Sequence, residues 1–297
     1  MDRSPELQRL LTRHSWNSFV RNEDGVGLPL KTGHTKISFP SESWDDHDIN
    51  SEGMGVWAEI RVHEIHSLMS EYAIPTVWEV GSGAGAVCLG LSQMGYETIA
   101  VEPLYAWALF TANRGVVSFA CTLEELSLPA ASIPAIGVFD VLEHIKDPTN
   151  LLREFGRVLS KDGKLVISVP AHPFLFSDFD SSIGHYRRYT VTELRRSLAS
   201  AGFDLIHYQY LFSFLVPLAW ALRVLPGKFR KVDSVKSVKH ARTQFRIAEK
   251  LSPVFRFLVW LEKLLKPPFG LSIIAIAVPN QKLTSDQPAG RHDSKDL

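Results

Sequence analysis

The chain has 297 residues, with 32 basic and 32 acidic side chains giving a net charge of zero at pH 7. That balance excludes the broad basic field of a general nucleic-acid binder. A hydrophobic content of 45% and a charged content of 22% are those of a globular chain, long enough for one large α/β domain plus additions or for two small domains. Taken in order, Met1-Asp2-Arg3-Ser4-Pro5-Glu6 has no apolar core and does not read as a secretory signal. Leu7–Phe19 is a candidate helix, and Gly25–Ser43 is loop-like with one short strand candidate, Lys36–Phe39. Residues 1–55 therefore read as an N-terminal arm, either a lid over a site or a segment packed elsewhere. Trp57–Tyr72 places Val62, Ile65, Met69 and Tyr72 at the spacing of an amphipathic helix.

From Thr76 onward, strand and helix patterns alternate. Strands are expected at Thr76–Val80, Glu97–Glu102, Val116–Cys121, Ile136–Asp140, Lys164–Pro170 and Asp204–Leu211. Asp147-Pro148 has the form of an N-cap with proline at the first helical position, and Thr190-Val191-Thr192-Glu193 that of a capping box, with Gly202 ending its helix. Lys161-Asp162-Gly163 reads as a tight turn into the fifth strand. Such alternation predicts a parallel sheet with helices on both faces. The two cysteines, Cys88 and Cys121, have no paired spacing, which points to a reducing compartment and away from a zinc site.

The last third changes character. Tyr210–Leu225 is apolar apart from Ser213 and Arg223, and Gly227–Lys250 carries eight Lys/Arg against Asp233 and Glu249. Val254–Leu265 is amphipathic, with Val254, Phe257, Leu258, Leu261 and Leu265 on one face. Leu271–Val278 reads as a buried strand, and residues 281–297 as a polar, disordered tail. No uninterrupted apolar run approaches the ~20 residues that cross a bilayer. An apolar surface flanked by cations suits an anionic membrane surface, with Trp220 and Trp260 at the interface. The same segments could instead pack on the sheet as an insertion that shapes a pocket.

The chemistry concentrates in four places. Val77-Trp78-Glu79-Val80-Gly81-Ser82-Gly83-Ala84-Gly85 is a buried strand ending in a carboxylate, followed by a glycine turn and the helix Ala86–Met94. Its glycines fall at positions one, three and five, whereas a dinucleotide loop has them at one, three and six. Glu102 closes the second strand, where a carboxylate can accept both hydroxyls of a ribose. Asp140-Val141-Leu142-Glu143-His144 follows the fourth strand, and Gly184-His185-Tyr186-Arg187-Arg188-Tyr189 follows the fifth.

In this order the motifs resemble the class I S-adenosylmethionine-dependent methyltransferases, in a bacterial branch related to ubiquinone-type O-methyltransferases. The resemblance spans roughly residues 55–212 plus the last strand. It implies a Rossmann-like α/β sheet of seven strands with helices on both faces, the last strand antiparallel and a helical insertion before it. Residues 56–212 would then be the core that binds S-adenosyl-L-methionine, 213–269 the insertion and 270–280 the last strand. It further implies that Glu79, Gly81, Ser82, Gly83 and Gly85 shape the methionine side and Glu102 holds the ribose. Thr122 and Leu123 would flank the adenine, although many relatives carry Asp at the Thr122 position. Asp140 and Val141 would close the floor, with His144 and His185 as candidate bases; a His144 that only shapes the pocket is the alternative. Tyr186, Arg187 and Arg188 suit a phosphate or carboxylate on the acceptor, unless Asp178 and Asp180 pair with the arginines to pin the loop.

Ser132-Ile133-Pro134-Ala135 departs from the Ser-Phe-Asp entry common in relatives, a change expected at an edge of the sheet. In ubiquinone-type relatives a Glu-x-x-Glu-His element has a proposed divalent-ion role, but Asp140 replaces its first Glu, and no metal is expected. The expected activity is O-methylation of a small, glycan-like or lipid-linked acceptor, in the cytoplasm or peripheral to the cytoplasmic membrane face. The rivals are a prenylated aromatic acceptor and a non-catalytic scaffold. A nucleic-acid acceptor is disfavoured, because no Asn-Pro-Pro-Tyr or Asp-Pro-Pro-Tyr tetrapeptide follows the fourth strand.

Overall fold

The computed structural model describes residues 19–21, 27–29, 55–221 and 252–280. The strand candidate Lys36–Phe39, the basic stretch 227–250 and the tail 281–297 lie outside the described residues, as does Leu7–Phe19 except for Phe19.

Among the described residues nine strands form one sheet: β1 (Phe19–Arg21), β2 (Gly27–Pro29), β3 (Thr76–Val80), β4 (Glu97–Val101), β5 (Val117–Phe119), β6 (Ile133–Phe139), β7 (Leu159–Pro170), β8 (Phe203–Leu211) and β9 (Ser272–Pro279). Their order is β1-β2-β5-β4-β3-β6-β7-β9-β8. The last seven are the expected methyltransferase sheet, parallel except for β9, which runs antiparallel to both β7 and β8. The first two correct the reading of the N-terminal arm. Phe19 opens a strand rather than closing a helix, and Gly27–Pro29 is a strand in a stretch read as loop. The reason is non-local: β5 offers an edge with unpaired backbone, and β2 adds to it in parallel.

Eight helices accompany the sheet among the described residues: α1 (Val56–Glu71), α2 (Ala86–Gln93), α3 (Tyr105–Ala112), α4 (Thr149–Val158), α5 (Asp178–Ser182), α6 (Val191–Ser200), α7 (Val216–Ala219) and α8 (Ser252–Leu265). Strand residues alternate between two cores, as the period of two in a pleated strand requires. Trp78, Val138, Ile167 and Ala275 face Leu152, Phe155, Leu194 and Leu198 of α4 and α6. Val77, Val166, Ile274 and Ile276 face Ile60, Ile65, Met69 and Leu91 of α1 and α2. Both faces of the sheet are thus covered. Cys88 and Cys121 are both free and buried, and burial pushes both thiols up from their ordinary value.

Two local readings change. Lys161-Asp162-Gly163 lies inside β7 rather than ahead of it: Ile133 pairs with Leu159 but Ala135 with Lys164, so residues 160–163 bulge from the ladder. A Cβ at Gly163 would stand 2.8 Å from the Ser160 carbonyl oxygen, which explains the glycine. Pro134 occupies the same irregularity, the position in a sheet that tolerates a residue without an N–H. The Ser132–Ala135 departure is therefore at the start of a central strand, not at a sheet edge, and at the end remote from the glycine turn.

α8 begins two residues before the expected Val254, and its expected apolar face divides: Leu258 and Leu261 are half-buried, the rest exposed. Val254, Phe257 and Leu265 are 53%, 58% and 67% exposed. Its inner side is Phe255, Val259 and Glu262; the Phe255 ring meets Trp57 at 5.3 Å and Phe214 at 5.6 Å, centroid to centroid.

Candidate active site

The site forms where β3, β4 and β6 end, the edge at which open α/β sheets bind ligands. Gly81, Gly83 and Gly85 have φ of +72°, +53° and +73°, a left-handed backbone that side chains rarely tolerate. A Cβ would also collide at each. At Gly81 it would lie 2.7 Å from Val141 Cγ2, at Gly83 3.0 Å from Trp107 Cζ3, and at Gly85 on the Thr111 side chain. Both conformation and space therefore demand glycine, and they leave bare backbone facing the cleft. The loop is braced by Gly81 N–H donating to the Val101 carbonyl at 2.8 Å and Gly85 N–H to the Ser82 carbonyl at 2.9 Å.

Two buried carboxylates flank this loop. Glu102 accepts from Gly83 N–H at 2.8 Å and from Leu104 N–H at 2.9 Å, one bond on each oxygen. Each oxygen keeps a lone pair for a hydroxyl. Burial raises its pKa despite these two bonds. Glu79 Oε2 is buried with no hydrogen-bond partner among the described residues, as is Ser82 Oγ. Burial pushes the Glu79 carboxyl up to about 7, against hydrogen bonds from Cys88 that pull it down. A glycine cradle lined by orphaned buried polar atoms fits a compact polar ligand such as the methionine end of S-adenosylmethionine, beside a carboxylate able to take its ribose.

The adenine-side residues are less open. Thr122 N–H donates to Glu125 Oε2 at 2.7 Å, and the Thr122 hydroxyl accepts from Glu125 N–H at 3.4 Å, a local cap. The Leu123 side chain is 1% exposed and belongs to the core.

At the end of β6, Asp140 adopts a left-handed φ of +55°, accepts from Ser168 Oγ at 2.9 Å and pairs with Arg61 of α1. Arg61 was not foreseen, because nothing local in an amphipathic helix announces a partner on a distant strand end. Next come Glu143, fully buried, and His144, whose ring meets that of His185 edge-on at 4.5 Å between centroids. Burial first, and then His185, lowers the His144 pKa to about 4, so the ring is neutral at pH 7. Burial, reinforced by Asp140, pushes Glu143 well up. His185 Nε2 stands 3.9 Å from Glu143 Oε1. Glu143, His144 and His185 hold their ligand atoms within 4.8 Å of one another, a spacing that a cation could bridge, whereas the sequence reading left metal out.

Asp180, at the start of the acceptor-side segment, organises that group. Its Oδ2 accepts from Ser177 N–H at 2.9 Å and Ser177 Oγ–H at 3.0 Å. Its Oδ1 accepts from Arg188 Nε at 2.8 Å and Nη2 at 2.7 Å, and lies 3.2 Å from His185 Nδ1. Burial works to raise this carboxyl, but His185 and Arg188 outweigh it and hold it at about 2. Asp180 thus holds the His185 ring by Nδ1 and leaves Nε2 on the Glu143 side. Arg188, only 7% exposed, is committed to this pair, while the Arg187 guanidinium reaches out to the Lys146 carbonyl and Tyr186 is 50% exposed. Tyr186 N–H donates to the Glu143 carbonyl at 2.8 Å and Tyr189 O–H to the Leu142 carbonyl at 3.2 Å, pinning the segment to the β6 end. Sequence reasoning also missed His172, at φ +62°, whose ring stacks on Tyr210 at 5.3 Å beside the exposed Phe174.

Such a sheet, with its glycine turn and acidic strand ends, defines the class I S-adenosylmethionine-dependent methyltransferase fold. Residues 56–208, just over half of the chain, match the family model described as a methyltransferase domain, and the chain belongs to that family. It is 37% identical over 131 residues to a probable S-adenosylmethionine-dependent methyltransferase of Mycobacterium tuberculosis, covering 43% of this chain and 48% of that protein. It is 29% identical over 97 residues to a ubiquinone biosynthesis O-methyltransferase of Bradyrhizobium diazoefficiens, covering 31% and 38%. The chain thus spans about half or less of the length of these curated relatives. A solved structure described as an S-adenosylmethionine-dependent methyltransferase, possible histamine N-methyltransferase, of Thermotoga maritima aligns over 76% of this chain and 89% of that chain, with 18% identity and a TM-score of 0.47. The family cofactor is S-adenosylmethionine.

Proposed function

We propose that this chain methylates an oxygen of a small, glycan-like or lipid-linked acceptor. The observation that carries the reading is the pair of imidazoles, His144 and His185, edge-on at 4.5 Å on the segments that follow β6 and β7. In this reading Glu79, Gly81, Ser82, Gly83 and Gly85 hold the methionine end of the cofactor, and Glu102 holds the ribose. Thr122 and Leu123 border the adenine, and Asp140 and Val141 close the floor. When bound, S-adenosylmethionine supplies an electrophilic methyl carbon, which leaves the protein to position the acceptor and remove a proton.

His144, neutral at pH 7, accepts a hydrogen bond from the attacking hydroxyl. His185, oriented by Asp180, presents its ring edge beside His144. Tyr186 and Arg187 meet the polar end of the acceptor, and Arg188 supports them from beneath by fixing Asp180. A second reading, a prenylated aromatic acceptor of the ubiquinone type, is favoured by the similarity to the Bradyrhizobium enzyme and by Asp140–His144. A scaffold that keeps the fold without catalysis is the remaining rival; it is disfavoured because the glycine cradle and both flanking carboxylates are intact.

Calorimetric titration with S-adenosylmethionine, with Gly83→Arg and Glu102→Ala alongside, is the first test. Binding at micromolar concentrations that both substitutions abolish is expected; no binding by folded wild-type protein would sink the enzymatic reading. Transfer of a labelled methyl group into lipid extracts, glycans or a quinone precursor then separates the acceptors.

A further inference from the structure

We propose that the outward face of α8 rests on an anionic lipid bilayer. A helix on the surface of a soluble domain turns its apolar stripe inward and its charges to water. α8 packs Phe255 and Val259 inward but carries a second apolar set on its outer side. Its ion-pairing residues lie along the contact with α1, where Arg256 pairs with Glu59 and Lys263 with Glu64, both N–O distances being 2.7–2.8 Å. Its most buried polar residue, Glu262, accepts the Ser213 N–H at 3.1 Å. The side turned away from the sheet carries Phe257 and Trp260, each 58% exposed and stacked 5.8 Å apart, and Leu264, 68% exposed.

Ion pairs and a buried hydrogen bond therefore fix the orientation, so the apolar face is held outward. α7 follows the Ser213–Leu215 turn that packs on α8, and there Leu218 is 53% exposed and Trp220, just past its end, 41% exposed. The two apolar segments are the flanks of the stretch 227–250, which carries eight Lys/Arg against two acids. Exposed Trp and Phe on segments that the sequence joins through this surplus of cations complement the headgroup zone of an anionic bilayer, where ring bodies leave water and cations meet lipid phosphate. A second copy of this neutral chain offers no such surplus of anions. No helix among the described residues is long and apolar enough to cross a membrane, so the contact is with the surface.

The docking requires no methyl transfer, although it would bring a lipid-linked acceptor to the site. Flotation of the full chain with phosphatidylcholine vesicles, with and without phosphatidylglycerol, tests it. Wild-type protein should float only with the anionic vesicles and detach as salt rises. Phe257→Ser/Trp260→Ser should lower the vesicle partition by about tenfold or more, with its melting temperature and its affinity for S-adenosylmethionine unchanged. Wild-type protein that stays unbound, or a double variant that floats equally, overturns the proposal. So does a concentration-dependent dimer that the double variant dissolves without any vesicle binding. Vesicle binding without cofactor binding would overturn the enzymatic reading and leave the docking face standing.

Discussion

Replacing Glu79 with Gln isolates the cost of the buried carboxylate behind the glycine turn. In the unfolded chain this carboxyl ionises at its ordinary value of 4.5; in the fold it ionises at about 7, chiefly through burial. The folded state thus holds the proton more tightly. Stability contributed by this group is full below pH 4.5 and declines as pH rises, levelling off above 7. At roughly 1.4 kcal/mol per pH unit, the interval corresponds to about 3 kcal/mol. Gln has nearly the same shape and no charge, so the variant should match the wild type near pH 4 and exceed its unfolding free energy by about 3 kcal/mol at pH 8. Urea unfolding of the cofactor-free protein at several pH values measures this directly. Glu102 and Glu143 are raised by burial too, but they contribute equally to both proteins and cancel in the difference. Parallel stability curves, or a variant weaker at pH 8 than at pH 4 relative to wild type, would refute the assignment of a protonated Glu79.

Asp180 has the opposite sign: its carboxyl, ordinarily at 3.8, is held at about 2, so the stability it contributes is present above pH 3.8 and is lost as pH falls through 2. Asp180→Asn should cost about 3 kcal/mol in denaturant unfolding at pH 7, because Arg188 is left buried without its partner. Arg187→Ala and Arg188→Ala, adjacent in sequence, should separate: the first raises the acceptor KM at unchanged melting temperature, the second lowers the melting temperature by several degrees. Gly85→Ala meets both a φ of +73° and the Thr111 side chain, so it should abolish calorimetric cofactor binding and lose at least about 1 kcal/mol of stability. Treatment with EDTA should leave methyl transfer unchanged, since attack on the sulfonium methyl needs positioning and proton removal rather than a cation.

The parts of this molecule that follow from local chemistry were legible in the sequence. Positive φ at Gly81, Gly83 and Gly85 restricts the residue type, so the glycine turn announces itself, and strand runs such as Thr76–Val80 carry their apolar pattern openly. What stayed hidden needed a partner far along the chain. Arg187 and Arg188 are the same residue type in succession, yet only Arg188 is buried against Asp180, because the neighbouring Tyr189 bridges to Ala171 and turns that side of the segment inward. Arg61 meets Asp140 only after α1 has packed across the sheet. The apolar stripe of α8 could be seen but not its direction, which Glu59, Glu64 and Ser213 decide. β1 and β2, three residues each, have too little pattern to outweigh loop signals until β5 supplies an edge.

The seclusion of both sulfur atoms gives the chain a silent chemical background. Cys88 is 0% and Cys121 2% exposed, and the chain has no other cysteine. Because thiolates rather than thiols attack maleimides and methanethiosulfonates, two shielded thiols with raised pKa values leave the native protein nearly inert to these reagents. A single cysteine introduced at Leu264 would therefore be the one reactive position. A spin label or environment-sensitive dye placed there would report on the immediate surroundings of α8 without removing either native sulfur.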